Sequence, residues 1–409
     1  MTCQDVFDAF KLATESLDEE IYLRASYRGI WINLIQRGEY KKGTGLEQTT
    51  FTLGRSEPTS DEEAWPLISL GSGQQACAVT WNDVNYGFEE SQYHPEQLGL
   101  RGPIICKDDL IFHHRAERFL EGYLRALTKR SMRSLENRLS NIFCHFSPKV
   151  PATSSYTTID GSTGDPPQVP DLSGVSEPTS ELTQEMLEQT AAELNEAGSS
   201  DINTDGWINL GEDGPIYPLY IGQEMSHQIL FNNADRRQDY RDADTGAGMG
   251  AMLLKRVGAS KVIGNFRHVI NLFPPRYHYV GGVGLTRIPT WVMVAGTKGY
   301  VARINPQWQV ADFERADVLT PWVFHSEIIR PVNAAAGLSW NPTTYTGEWQ
   351  FVTGPDIDTN GDCYDPLKKR GRHFAEYKHA PRPIFPEFGR SIFFKRCRPR
   401  TYTEVTCTS

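Results

Sequence analysis

The stretch "DINTDGWINLGE", residues 201–212, has the residue types and spacing of a calcium loop. Asp201, Asn203 and Asp205 fall where such a loop supplies its first oxygen ligands. Gly206 falls at its sharp turn, and Glu212 at the closing bidentate position. A hand-type site also needs a helix on each side. The preceding segment "SELTQEMLEQTAAELNEAG" has helical spacing, with Thr179 or Ser180 as its cap and Gly198 as its stop. The following segment carries Gly211, Gly214, Pro215 and Pro218, and proline breaks a helix interior, so it reads as a strand. Along a strand Asn209 and Glu212 point to opposite sides. The expectation is therefore a turn between a helix and a strand, with no calcium dependence and no metal ligands.

Other chemical signatures are fragments. "DIDTNGDCYD" at 356–365 starts like a second calcium loop, but its twelfth position is Leu367. "GAGMG" at 246–250 lacks both the G-x-G-x-x-G spacing and a following Gly-Lys-Ser/Thr, and reads as a loop. His113 and His114 are adjacent, so on a helix they point about 100° apart and cannot share a metal in the usual way. No G-x-S-x-G, H-E-x-x-H or Ser/His/Asp arrangement is present. No catalytic, cofactor-binding or metal residue is assigned, and the chain does not read as an enzyme.

The bulk properties bound the remaining choices. Of the 409 residues, 39% are hydrophobic and 22% charged, which supports a substantial core. A net charge of -10 argues against general nucleic-acid binding. The odd number of cysteines, at positions 3, 77, 106, 144, 363, 397 and 407, and the lack of a C-x-x-C pair read as free thiols in a reducing compartment. The N-terminus has no apolar core segment of a signal peptide, and no stretch approaches eighteen apolar residues, so no membrane span is expected.

Five regions follow from the change in character along the chain. Residues 1–36 read as a helical arm within a first region of 1–42, and 43–102 as a long hairpin or extended loop too polar to own a core. Residues 103–179 hold the clearest helix, 107–143, then a linker rich in Pro, Ser, Thr and Gly from 147. On that helix Leu120, Tyr123, Leu124, Leu127, Leu135, Leu139 and Ile142 share a face, and Leu124 and Leu127 are expected to pack on strands. Its other face carries Arg115, Arg118, Arg125, Lys129, Arg130, Arg133 and Arg138, either a solvated face or an interaction surface. Residues 180–330 mix a helix, the strand-then-helix run "PIYPLYIGQEMSHQILFNN" and a strand ending at Pro274 and Pro275. Residues 331–409 alternate strands and turns, closing on "SIFFKRCR". The class is α+β.

That order of segments resembles the major capsid proteins of tailed bacteriophages. "LTQEMLEQTAAELNEAG" followed by "GPIYPLYIGQE", then "RRQDYRDAD" and "GNFRHVINLFPPRYHY", and the ending "PRPIFPEFGRSIFFKRC" are similar to portions of that family. The resemblance covers nearly the whole chain, through structural patterns and no catalytic signature. It implies the tailed-phage major capsid fold: 1–42 as N-terminal arm, 43–102 as E-loop, and 103–179 as P-domain with its spine helix. Residues 180–330 become mainly A-domain, and 331–409 strands returning to the P-domain. It further implies a subunit that self-assembles through hexamers and pentamers into an icosahedral shell around double-stranded DNA, held without sequence-specific contact. Scaffold, portal and decoration proteins are the further partners it allows; it implies no membrane and no cofactor, assembly in the host cytoplasm, and residence in the virion capsid. The alternatives are a calcium-stabilised enzyme or binding module, and another shell-forming protein of a nanocompartment or virion.

Overall fold

A computed structural model of the chain describes residues 31, 36–39, 48–53, 88–93, 96–101, 105–106, 116–197, 208–209, 215–231, 262–263, 265–296, 299–318, 324–328, 348–351, 370–383 and 385–396. In chain order, β1 is Gln36–Glu39, β2 Gln48–Leu53, β3 Phe88–Tyr93, β4 Glu96–Arg101 and β5 Ile105–Cys106. Helix α1, Ala116–Phe146, is followed by β6 Lys149–Pro151, α2 Gln184–Glu196, β7 Ile208–Asn209, β8 Pro215–Gly222 and α3 Gln223–Phe231. Then come β9 Val262–Ile263, β10 Phe266–Asn271, β11 Arg276–Val280, β12 Gly284–Ile288, β13 Trp291–Gly296 and β14 Gly299–Ile304. A single turn, α4 Pro306–Gln309, precedes β15 Phe313–Val318, β16 Phe324–Ile328, β17 Glu348–Phe351, β18 Arg370–Pro383 and β19 Arg390–Lys395. Chain contacts separate Lys41–Pro95 from the rest, and each unit is described by itself.

In the larger unit, the core is a nine-stranded sheet running β12-β11-β15-β8-β10-β9, with β19 joining β15 to β6 and β7 pairing β8. Strand β15 is its axis: all six of its residues are buried, and alternate side chains leave opposite faces. Ala316 and Val318 enter a cluster with Leu187, Ala191 and Leu194 of α2, Met225 and Ile229 of α3, and Tyr217, Leu219 and Ile221 of β8. Phe313 enters another, with Cys144 of α1, Leu172, Val175, Tyr277, Leu285 and Phe393. Helices therefore cover both faces. A second sheet runs β1-β16-β18-β17, with β4 and β5 also paired to β18, and α1 lies beside β18 and β4. In the smaller unit, β2 and β3 form an antiparallel hairpin from Gln48↔Tyr93 to Leu53↔Phe88.

The helix predicted over 107–143 spans Ala116–Phe146; at 1.5 Å per residue it is about 46 Å long. Of its predicted apolar stripe, Leu135, Leu139 and Ile142 are buried. The side chains of Leu120, Tyr123, Leu124 and Leu127 lie outside the described residues. The strand-then-helix run is β8 and α3, and "SIFFKRCR" lies in β19.

Two local expectations are corrected. Helix α2 is capped by Thr183, whose Oγ1 accepts from the Met186 amide. The amides of Thr179 and Ser180 donate instead to the Ala152 carbonyl, which ties those residues to the end of β6. The segment from 147 is also more than a linker. Its Lys149–Pro151 is a buried strand running parallel to β19, with Ile392 opposite Val150. Further on, Leu172 and Val175 close one face of the sheet.

Candidate assembly surface

Strands β13 and β14 form a two-stranded sheet with no third strand among the described residues. Its register runs from Trp291↔Ile304 to Gly296↔Gly299. Directly opposed residues point to the same side. One face therefore carries Trp291, Met293 and Ala295 with Ile304, Ala302 and Tyr300. The other carries Val292 and Val294 with Arg303 and Val301. Arg303 is the one charged residue of the twelve, so neither face reads as solvated. Met293 is 57% exposed, Tyr300 63% and Val301 44%. A ribbon on a protein surface ordinarily keeps one polar face. An isolated hairpin is also marginal in water. Contiguous exposed apolar surface of this kind marks an interaction site.

The foot of the ribbon is held to the core. Trp291 packs against Phe273 at 5.5 Å between ring centroids, and the Arg133 guanidinium of α1 stacks 4.5 Å above its ring. Phe273 packs in turn on Trp308, beside Ile288, Ala311 and Ile304. Helix α1 itself is pinned to the sheet by a buried charge. Arg315 is 1% exposed; its Nε donates to Asp317, its Nη1 to the Tyr277 hydroxyl at 3.1 Å, and its Nη2 to the Ser140 carbonyl of α1 at 3.1 Å. Burial works against that charge, but Asp317, Tyr277 and Cys144 outweigh it and hold Arg315 above its ordinary value. The Asp317 carboxylate is completed by the Ser391 hydroxyl of β19 at 2.9 Å. Burial pushes the Tyr277 phenol up to about 12, so it stays protonated. Three strands and one helix thus share one satisfied polar cluster.

The basic face of α1 divides. Arg138 binds Glu96 and the carbonyls of Pro166 and Pro167, and Arg133 covers Trp291, so both serve the fold. Arg130 is exposed and Lys129 half-buried, while the side chains of Arg115, Arg118 and Arg125 lie outside the described residues. So do Asp201, Asn203, Asp205, Gly206 and Glu212 of the calcium-like stretch, "GAGMG", "DIDTNGDCYD" and the His113 and His114 pair. The described part of that stretch is β7, where Ile208 pairs with Ile216 and Asn209 with Pro215, so the chain leaving the turn is extended. Among the described residues, no group of three His, Cys, Asp or Glu side chains converges on a point that could hold a metal. No described helix is long and apolar enough to cross a membrane. The ribbon was not singled out by motif. Its signal is two apolar runs around Gly-Thr-Lys-Gly in "TWVMVAGTKGYVARI", a hairpin pattern with no polar alternation.

No protein-family model and no curated protein matches the sequence. Among solved structures, the chain is similar to the capsid of the cyanophage P-SCSP1u, at 12% identity over 93% of this chain and 92% of that one, with a TM-score of 0.46. It is similar to the capsid of Ralstonia phage GP4, at 12% identity over 95% and 94%, with a TM-score of 0.46. It is also similar to the head of Helicobacter pylori bacteriophage KHP40, at 8% identity over 93% and 95%, with a TM-score of 0.48. At these identities, and with TM-scores below 0.5, the likenesses assign neither family nor function.

Proposed function

We propose that the chain is the major capsid subunit of a tailed bacteriophage, a structural protein that self-assembles into an icosahedral shell around double-stranded DNA. The observation that carries this reading is the ribbon β13–β14, anchored at its foot and apolar on both faces. One apolar face calls for one covering surface and is met by a two-fold dimer. Two faces call for two different covering surfaces. Head-to-tail contacts of that kind form rings when the rotation between copies closes, which is the geometry of hexamers and pentamers.

Two further features support it. Lys41–Pro95 forms its own contact unit around the β2–β3 hairpin, as a loop reaching over a neighbour requires. The long α1 is locked at its C-terminal end into the sheet by Arg315, as a spine requires. On this reading 1–42 is the arm, 43–102 the E-loop, 103–179 the spine-bearing P-domain, and 180–330 mainly A-domain. The role is non-enzymatic, the principal partner is the chain itself, and its place is the virion capsid after assembly in the host cytoplasm. Sizing of the purified protein tests it: shells sediment as megadalton particles, whereas a binding module or enzyme elutes as a small oligomer.

A further inference from the structure

A cavity of about 570 Å³ opens where α3 begins, between the β10–β11 connection, α4 and the end of β19. Its volume is in the range that takes a small organic ligand. Two arginines frame it, and both are built in. The Arg276 side chain is 8% exposed, and its guanidinium lies 3.8 Å above the Trp308 ring. Its Nε donates to Glu314 Oε2 at 3.2 Å and its Nη1 to the Trp308 carbonyl at 3.2 Å. The Arg396 side chain is 9% exposed and donates to the Gln309 carbonyl and to Glu224 Oε2, each at 2.6 Å.

Arg276 Nη2 is the exception. It lies 4.0 Å from Glu224 Oε2, too far for a hydrogen bond. A guanidinium presents its donors as a planar fork matched to a carboxylate. Here one prong of a side chain more than nine-tenths buried is left without an acceptor. Glu224 is a poor permanent one, because its side chain is 53% exposed in the first turn of α3 and already engaged by Arg396. The N-terminal end of α3 adds partial positive charge to the same space. The opposite wall is apolar: Phe273 and Trp308 pack at 5.9 Å, and Leu272 is 57% exposed at the rim.

We propose that this cavity is a binding site for a carboxylate carried on an apolar body. The carboxylate bonds Arg276 Nη2 and displaces Glu224 toward solvent, while the apolar body lies against Leu272, Phe273 and Trp308. The group comes either from a free small carboxylic acid or from an acidic side chain of a second copy of this chain.

The test is calorimetric titration of the dispersed full-length protein with benzoate, and with acetate as the carboxylate lacking an apolar body. Benzoate is expected to bind at one site per chain and more tightly than acetate. Glu224→Gln removes the internal competitor and should tighten benzoate by about tenfold, the equivalent of one charge-assisted hydrogen bond. Leu272→Asp, at an exposed position that leaves folding intact, should abolish binding by placing a like charge at the rim. No heat with benzoate in either the wild type or Glu224→Gln overturns the proposal, as does binding indifferent to Leu272→Asp. A second titration, of assembled particles, separates the sources. A site closed on assembly identifies the second copy's acid, and a site still open identifies a free ligand. The first titration stands even where no particles form, so its result is independent of the shell reading.

Discussion

Arg315 shows how a single side chain can define a junction. It sits on the face of β15 that meets α1, and its guanidinium reaches Ser140, Tyr277 and Asp317 at once. Arg315→Met leaves Asp317 buried without its counter-charge, which costs about 3–5 kcal/mol. Denaturant unfolding of the dispersed subunit should show that loss, and Arg315→Met with Asp317→Leu should recover most of it. A single variant within about 0.5 kcal/mol of wild type would mean the cluster is incidental. On the opposite face of the same strand, Glu314 carries a pH signature. Burial, helped by Glu224, raises its carboxyl above the ordinary 4.5 against the pull of Arg276 and Arg396. A carboxyl raised in the folded state stabilises fully below its unfolded value and loses that contribution as pH rises through the folded value. The melting temperature of wild type minus that of Glu314→Gln should therefore fall as pH rises from the ordinary carboxyl value through the raised one. A difference that grows over that window would reverse the sign. Neither residue was legible in the sequence, because "FERADV" mixes three charged residues with three apolar ones, as a partly solvated strand does. Only its place inside the sheet, with α1 against one face and α2 and α3 against the other, buries both.

At the scale of elements, the ribbon β13–β14 makes the sharpest prediction. Tyr300 and Val301 lie on opposite faces and are both exposed, so Tyr300→Asp and Val301→Asp should each change subunit stability by no more than about 0.5 kcal/mol. Each should nevertheless abolish particle formation, because closure needs both faces covered. Thermal melts and sedimentation of the two variants check this together; normal particles from either variant would release its face from the interface. Long periodic elements were readable in advance. The stripe of Leu135, Leu139 and Ile142, the run β8 into α3, and the closing β19 all carry their period or punctuation in the residues themselves. Strand β6 was not. It is three residues long, ends in proline and sits in polar sequence, and only its parallel pairing with β19 makes it a strand. The cap of α2 was misplaced for a related reason. Thr179, Ser180 and Thr183 are equivalent cap formers in sequence, and the carbonyl of Ala152 settles the choice by claiming the first two.

For the whole molecule, a shell subunit requires Lys41–Pro95 to find its partners on another copy. Limited proteolysis should cut the dispersed chain between 41 and 95 and spare the same bonds in assembled particles. Equal cutting in both states would make the segment an ordinary intramolecular loop. Whether this chain builds a closed shell is read from sedimentation velocity of the purified full-length protein, with the same sample imaged by electron microscopy. A closed shell gives megadalton particles of uniform size and closed outline, lost in Val301→Asp. Wild-type protein sedimenting as a monomer or small oligomer under every condition that keeps it folded would contradict it.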